Sequence, residues 1–205
     1  IPVSVVKLFD FPEQKDWNLT RKHFLYFGGG GAVLKGLDIA VEAFATLPNL
    51  TLHILGPGAS EPDFAKEYEK ELNLPNIIRH GRPKIDKEGN IMVGEKNIQD
   101  IFNTCGAIIY PSSAEGTSTA VMQSIHAGLV PITTPETGLN PEIGGIIIPD
   151  PSISSVQKIA LDFSNTDPQK LVSMARKSWQ YARTHHTRES FSKAYETFIS
   201  TILKL

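Results

Sequence analysis

Short apolar runs alternate along the chain with segments whose apolar residues recur at helical spacing. The run at 22–28 (KHFLYFG) is continuous, aromatic and followed by glycines, which is typical of a buried strand. The segment at 35–47 places Leu37, Val41 and Phe44 on one side of a helix. The alternation continues and predicts six strands with helices between them. We place the strands at 22–28, 50–56, 76–81, 106–112, 129–134 and 145–149, and the helices between them at 35–47, 61–72, 97–105 and 116–127.

The order of these elements predicts an α/β fold. Strands that alternate with helices build βαβ units around a parallel sheet, and continuous apolar strands indicate that helices cover both faces. We therefore predict a Rossmann-like, doubly wound parallel sheet of about six strands, followed by C-terminal helices at 152–164, 167–184 and 187–203. Residues 1–22 are expected to form a lead-in or interdomain linker, and residues 23–205 the domain.

The last predicted helix carries one apolar stripe. Its members fall at i, i+3, i+4, i+7, i+8 and i+11, and they are Phe191, Ala194, Tyr195, Phe198, Ile199 and Ile202. We expect this stripe to pack on the same sheet, and the alternative is a surface for a partner.

Composition removes several classes of function. The net charge of the 205 residues is −2 and no basic block stands out, so we expect no nucleic-acid partner. Cys105 is the only cysteine, which excludes an intramolecular disulfide and a cysteine pair for zinc. No apolar run approaches the ~18 residues of a membrane span. Because the chain begins with Ile1 rather than Met, we expect a fragment of a longer protein.

The glycine-rich segment at 28–36 (GGGGAVLKG) fits neither of two common nucleotide motifs. A dinucleotide fingerprint that starts at Gly28 would need glycine in place of Val33, and a P-loop would need Ser or Thr after Lys35. A flexible loop remains, whose amides and lysine can contact phosphate. The alternative is a glycine turn with a solvated lysine. In an open parallel sheet this loop lies at the ligand-binding edge, beyond the carboxyl ends of the strands.

Three segments carry a series of motifs: FGGGGAVLKGLD (27–38), IIYPSSAEGTSTAVMQSIHAGLVPIT (108–133) and PETGLNPEIGGIIIP (135–149, with Gly138, Glu142 and Gly145). Together they resemble the donor-binding, C-terminal domain of retaining GT-B-fold glycosyltransferases with an E-x7-E motif, over about 23–203. The resemblance implies a cytoplasmic, metal-independent hexosyltransferase without a cofactor, whose substrate is a nucleotide-diphosphate sugar. It also implies an N-terminal domain, absent from this chain, that binds an acceptor sugar or lipid and makes peripheral contact with a membrane.

The resemblance gives catalytic roles to two residues. Lys35 matches the lysine that contacts the diphosphate, and Glu115 matches the first acid of the motif, which holds hydroxyls of the hexose. The alternative for Glu115 is a carboxylate at a helix entry, stabilised by the helix dipole. The predicted donor-binding positions lie in the loops at the same edge and in the helix expected to open at 116. They are Gly29, Gly30, Gly31, Gly56, Gly58, Arg82, Pro83, Gly116, Thr117, Ser118, Thr119 and Gln123.

Two positions depart from the family's pattern. Gly30 stands where the family has an arginine that shares the diphosphate, and Gln123 stands where it has a second acid that binds the ribose hydroxyls. A carboxylate offers two acceptor oxygens, whereas an amide offers one acceptor and one donor group. We therefore expect weaker or differently tuned ribose binding. These departures keep two alternatives open: a non-catalytic nucleotide-sugar-binding module, and a nucleotide-sugar epimerase on the same fold.

Two further groups of polar residues, apart from Arg82 and Pro83, are explained without a role in the chemistry. The loop at 82–96 is rich in charge and is predicted to be a solvated rim. His80, His126, His185 and His186 lack metal-ligand spacing, so we expect core packing or capping.

Overall fold

The computed structural model describes residues 1–139 and 143–203, and its main feature is a six-stranded sheet. The strands of this sheet are β1 (His23–Phe27), β2 (Thr51–Leu55), β3 (Ile77–Gly81), β7 (Ala107–Tyr110), β8 (Val130–Thr133) and β9 (Ile146–Ile147). Their spatial order is β3-β2-β1-β7-β8-β9, and all neighbours are parallel. This is the predicted Rossmann-like sheet, and the prediction of fold class is confirmed.

Helices cover both faces of this sheet. They are α1 (Trp17–Thr20), α2 (Leu37–Ala45), α3 (Pro62–Glu67), α4 (Glu69–Leu72), α5 (Ile98–Thr104), α6 (Thr119–His126), α7 (Ile153–Asn165), α8 (Pro168–His185) and α9 (Arg188–Leu203). The ring of Phe24 lies 5.1 Å from that of Phe44 in α2 and 5.3 Å from that of Phe163 in α7. Phe27 points to the other face, where its ring lies 6.3 Å from Phe102 in α5.

The strand order reverses between β1 and β7. The chain moves outward from β1 through β2 to β3, and it moves outward in the other direction from β7 through β8 to β9. In open parallel sheets the crevice outside the carboxyl ends of the strands at this switch point binds ligands. The loops that leave β1 and β7 carry the glycine segment and the Pro-Ser-Ser-Ala-Glu segment respectively.

The predicted solvated rim at 82–96 is wrong in part. A second, antiparallel sheet lies there, with strands β4 (Lys84–Ile85), β5 (Ile91–Val93) and β6 (Lys96–Asn97). Ile91 and Val93 are buried, because alternate residues of a strand point to one side, so these two pack while Met92 between them points the other way.

Residues of the N-terminal segment 1–22 pack against the sheet domain. The ring of Phe9 meets Phe102 edge to face at 5.6 Å, and Trp179 Nε1 donates a hydrogen bond to Phe9 O at 3.0 Å. Lys15 Nζ donates to Phe102 O and Cys105 O, the carbonyls at the C-terminal end of α5. Burial lowers the pKa of Lys15 to about 8.

The expectation that the apolar stripe of α9 packs on the sheet is wrong. No residue of α9 is buried, and Phe191, Tyr195, Phe198 and Ile202 are between 39% and 58% exposed. The reason is that α8 already packs against α6 and β8 and occupies that face. None of the helices in residues 1–139 and 143–203 combines the length and apolarity needed to cross a membrane.

Three histidines form a hydrogen-bonded row across β1, β2 and β3. His23 Nδ1 lies 3.0 Å from His53 Nε2, and His53 Nδ1 lies 3.0 Å from His80 Nε2. Burial lowers the pKa of each ring, and that of His53 falls to about 3. The lowered pKa values favour neutral imidazoles, each of which can donate from one ring nitrogen and accept at the other. The role of His80 is therefore packing within the fold, as the sequence predicted.

Candidate functional site

Lys35 and Glu115 meet at the switch point of the sheet. Lys35 Nζ lies 3.0 Å from Glu115 Oε1, and the two side chains are 24% and 15% exposed. The contact depends on Gly36, which has a φ of 71°. A Cβ atom at Gly36 would lie 2.1 Å from Pro111 O, so only glycine lets the loop after β1 approach the loop after β7 this closely.

Tyr110, which the sequence argument did not single out, fixes one oxygen of Glu115. Its hydroxyl donates to Glu115 Oε1 at 2.8 Å. Burial raises the pKa of Tyr110, and the hydrogen bond to Glu115 raises it further, so the phenol remains a proton donor. Glu115 Oε2 makes no hydrogen bond with the described part of the chain, and it is left to accept from a ligand. The signal available in the sequence was a tyrosine at the end of a predicted strand, five residues before the acid.

A cavity of about 680 Å³ lies beyond the carboxyl ends of β1, β2 and β3. Seven of the predicted donor-binding residues line it: Gly29, Gly30, Gly56, Arg82, Pro83, Thr119 and Gln123. Unpredicted apolar residues complete its wall, namely Val5 and Val6 from the N-terminal segment and Ile85 and Ile91 from the small sheet. Sequence reasoning missed these four because residues 1–22 were interpreted as a linker and residues 82–96 as a solvated rim.

A more open depression of about 700 Å³ holds the predicted catalytic pair. Lys35, Glu115 and the predicted residue Gly116 line it together with Leu34, Ser113, Ala114 and Glu136. A Cβ atom at Gly29 would lie 3.9 Å from Lys35 Nζ. Because Gly29 lines the cavity and Lys35 lines the depression, the lysine stands where the two meet. A ligand that bridges both would pass the ammonium group.

The predicted helix start at Gly116 is wrong, because α6 begins at Thr119. Ser118 is its N-cap residue, and its hydroxyl accepts from Val121 N at 3.4 Å. The amides of Gly116, Thr117 and Ser118 therefore do not belong to the first turn of the helix. Thr117 and Ser118 line neither the cavity nor the depression.

The amide of Gln123 is bound to the N-terminal segment. Its Oε1 accepts from Val6 N and Lys7 N, both at 3.2 Å, and its Nε2 donates to Lys7 O. A glutamate could accept both amides but would set a second negative oxygen against the Lys7 carbonyl. This local requirement accounts for an amide at the position. The predicted contact with a ribose stays a prediction.

The glycines after β1 and β2 divide into two kinds. Gly56 has a φ of 118°, and a Cβ atom there would lie 1.8 Å from Gly28 O. The loops after β1 and β2 can therefore lie this close only because residue 56 is glycine. Gly58 is buried against Leu37 and does not line the cavity, so it supports the loop rather than facing a ligand. Gly31 N donates to Glu61 Oε1 at 2.7 Å. Glu142, which matched the family's last motif, lies outside the described residues.

Many solved structures share this fold, and three of them illustrate the likeness. A point mutant of TarM from S. aureus, in a complex with UDP, fondaparinux and α-GlcNAc-glycerol, has a TM-score of 0.71 at 14% identity, over 94% of this chain and 38% of that chain. Anabaena HepE in complex with UDP-glucose has a TM-score of 0.74 at 14% identity, over 97% and 56%. The C-terminal domain of LpcC from Francisella tularensis, a glycosyl transferase group 1 family protein, has a TM-score of 0.67 at 17% identity, over 90% and 98%.

The likeness to these solved structures shows the fold alone, and the family follows from a match of the sequence. The chain spans little more than a third of TarM and little more than half of HepE. No curated protein sequence matches it. The model of the family "Glycosyl transferases group 1" matches residues 21–161, from β1 through the site loops to α7. This chain therefore belongs to the group 1 glycosyl transferases.

Proposed function

We propose that this chain is the donor-binding half of a retaining glycosyltransferase, which moves a hexose from a nucleotide-diphosphate sugar to an acceptor sugar or lipid. The observation that carries the proposal is the Lys35–Glu115 pair at the switch point, where cavity and depression meet. Family membership and the UDP-glucose complex of HepE support it. The acceptor domain, its contact with a membrane and the cytoplasmic location belong to the proposal and rest on family resemblance.

The geometry suits a bipartite ligand. The nucleoside would occupy the cavity beside Arg82 and Pro83, and the hexose would occupy the depression beside Glu115. When the bond between the anomeric carbon and the diphosphate breaks, its electron pair stays on a phosphate oxygen. Lys35 would stabilise that negative charge without a metal ion. Glu115, an acceptor-only group, would orient hydroxyl groups of the hexose while Tyr110 holds its other oxygen.

Because Lys35 and Glu115 are paired, substituting one or the other should change the binding of UDP and UDP-sugar in different ways. Lys35→Ala should weaken UDP and UDP-sugar alike, by roughly 10- to 150-fold, since it removes one charge-assisted contact to the diphosphate. Glu115→Ala should abolish the preference for UDP-sugar over UDP, because the hexose loses its acceptor. UDP alone should bind no more weakly to this variant, because Lys35 is released from its ion pair.

Titration calorimetry with UDP-, GDP- and ADP-sugars and the matching nucleotides measures these effects. Lys66→Ala and Glu69→Ala, at exposed positions on α3 and α4, are the matched controls. If no nucleotide binds, or if both site variants bind every ligand as the wild type does, the proposed site is incorrect.

A second function, that of a non-catalytic nucleotide-sugar-binding module, is favoured by two observations. Gln123 is engaged by the N-terminal segment, and Gly30 supplies no cation. In that case a protein that joins this chain to its acceptor domain would bind nucleotide sugar without consuming it. Product analysis by NMR separates the candidates: a glycosylated acceptor indicates transfer, and an epimerised sugar without acceptor indicates the epimerase.

A further inference from the structure

Two backbone amides of the glycine loop, those of Gly31 and Ala32, donate hydrogen bonds to a carboxylate of the chain itself. Glu61 Oε1 accepts from Gly31 N at 2.7 Å, and Glu61 Oε2 accepts from Ala32 N at 3.3 Å. Two carboxylate oxygens therefore face two successive backbone amides, and the first of these belongs to Gly31, which has a φ of 84°. Backbone nests of this kind bind anions, and here the anion is a side chain of the chain itself.

The backbone of Glu61 is anchored, whereas its side chain is not enclosed. Glu61 N donates to Gly58 O at 3.1 Å, and its carbonyl accepts from Ala65 N at 2.7 Å at the start of α3. Pro62 follows as the first residue of the helix. The side chain is half-buried, so the carboxylate can leave the loop by rotation about its own bonds while α3 stays folded.

The loop held by Glu61 borders the proposed sugar-donor site. Gly30 lines the cavity, and a Cβ atom there would lie 3.5 Å from Glu61 Oε1. Lys35 is paired with Glu115 in the same structure. Two groups that could receive a diphosphate, the amides of Gly31 and Ala32 and the ammonium group of Lys35, are thus both held by carboxylates. A phosphate group and Glu61 cannot share the amides, because both are negative and each needs the same two N–H donors.

We propose that Glu61 is an internal competitor for phosphate, which lowers the affinity of the glycine loop for nucleotide diphosphates and is displaced when one binds. The proposal rests on the proposed function for the identity of the ligand. On this proposal, Glu61 affects the affinity for a nucleotide diphosphate by competing with its phosphates, and it does not act on the base or the sugar. The alternative is that Glu61 holds the loop in the shape that the ligand needs.

Glu61→Gln is the direct test, because it removes the charge and keeps the size of the side chain. Competition predicts that UDP binds about 5- to 30-fold more tightly to this variant, because the neutral amide can still accept from the loop but holds it less strongly than the carboxylate does. Glu61→Ala, which removes both contacts, should change UDP binding in the same direction. Uridine, which lacks phosphate, should bind equally to all forms. Glu67→Gln, an exposed change of equal charge on α3, should leave UDP binding unaltered. Calorimetry gives the dissociation constants of UDP and of uridine for all four forms.

The amide signals of Gly31 and Ala32 provide a readout that needs no nucleotide. Inorganic pyrophosphate should shift these two signals in ¹H–¹⁵N spectra of Glu61→Gln at concentrations that leave the wild type unchanged. If UDP binds the wild type and Glu61→Gln equally, or the variant more weakly, the proposed function stands and competition by Glu61 is refuted. If no nucleotide binds any form while pyrophosphate shifts the two amides only in the variant, competition holds and the proposed function fails.

Discussion

Gly30 is the position in the glycine loop where a side chain fits. A Cβ atom there would make only an ordinary contact, 3.5 Å from Glu61 Oε1, and the backbone is outside the left-handed region. Gly31, in contrast, has a φ of 84°, and Gly56 has Gly28 O at 1.8 Å from an added Cβ atom. The backbone geometry therefore requires glycine at positions 31 and 56. At position 30 the backbone would accept a side chain, and the effect of a substitution there depends on the charge and polarity of the new side chain.

We predict that Gly30→Arg strengthens the binding of UDP by about 10-fold, since a guanidinium group pairs with Glu61 and adds positive charge beside the phosphates. The gain should shrink as salt is raised, because the loop is exposed. Gly30→Gln, which adds a neutral polar side chain, should give no gain. Calorimetry at two salt concentrations measures the difference, and weaker binding by the arginine variant would show that the position must stay empty.

Among the elements, the row of histidines on β1, β2 and β3 ties stability to pH. The folded-state pKa of His53 lies near 3, well below the ordinary value of 6.5, chiefly because of burial and then because of His80, His23 and Lys96. The unfolded chain therefore takes up a proton at higher pH than the folded chain does. The stability that depends on neutral His53 is complete above pH 6.5 and is lost as the pH falls towards 3.

We predict that His53→Gln flattens this dependence. A depressed pKa contributes up to about 1.4 kcal/mol per pH unit to the free energy of unfolding within its window. The variant should lose the part of that slope that His53 contributes between pH 6.5 and 4.5, while the other histidines whose pKa values burial lowers, His23, His80, His126 and His186, maintain the rest. Urea unfolding across this range is the measurement, with His185→Gln at an exposed position as the control. An unchanged slope would show that the row is open to water.

The elements also show why some features could be predicted from the sequence. Five of the six strands and most helices are long enough for their pattern to stand out, and the two residues of β9 lie in a run of three isoleucines. The motifs at Lys35 and Glu115 lie on loops that the topology brings to one edge. The strands of the small sheet have only two or three residues, too few for a pattern. The start of α6 was misplaced because Gly116 and Ser118 are both plausible helix entries.

Contacts between distant parts of the chain could not be predicted. Gln123 bonds Lys7, which is 116 residues away, and Glu61 reaches back 30 residues to Gly31. Neither pairing leaves a local signal, since both are made by side chains whose partners are backbone groups. The stripe of α9 is a related case, because periodicity indicates that a helix has an apolar face but not what covers it.

For the whole molecule, α9 should contribute little to the stability of the chain. We predict that Phe198→Ser changes the free energy of unfolding by less than about 0.5 kcal/mol, as expected for an exposed position. Phe163→Ala, which opens a hole against Phe24 in the core, should cost about 3–5 kcal/mol. Urea unfolding compares the two variants.

The same stripe leaves an apolar patch open to solvent, and patches of this kind promote association. Sedimentation of the wild type should therefore show self-association that Phe198→Ser reduces. A large loss of stability in Phe198→Ser would mean that α9 is packed more closely than its 47% exposed phenylalanine indicates.

The attachment of the first residues to α8 has a consequence for the order of folding during translation. Val3 O accepts from the ring of His186, 183 residues later, and Phe9 O accepts from Trp179, 170 residues later. While the chain is being made, its N-terminal segment leaves the ribosome without these partners, and it must wait until nearly all of the chain has followed. Contacts between such distant residues close slowly. The wall that Val5 and Val6 contribute to the cavity is therefore among the last parts of the molecule to form.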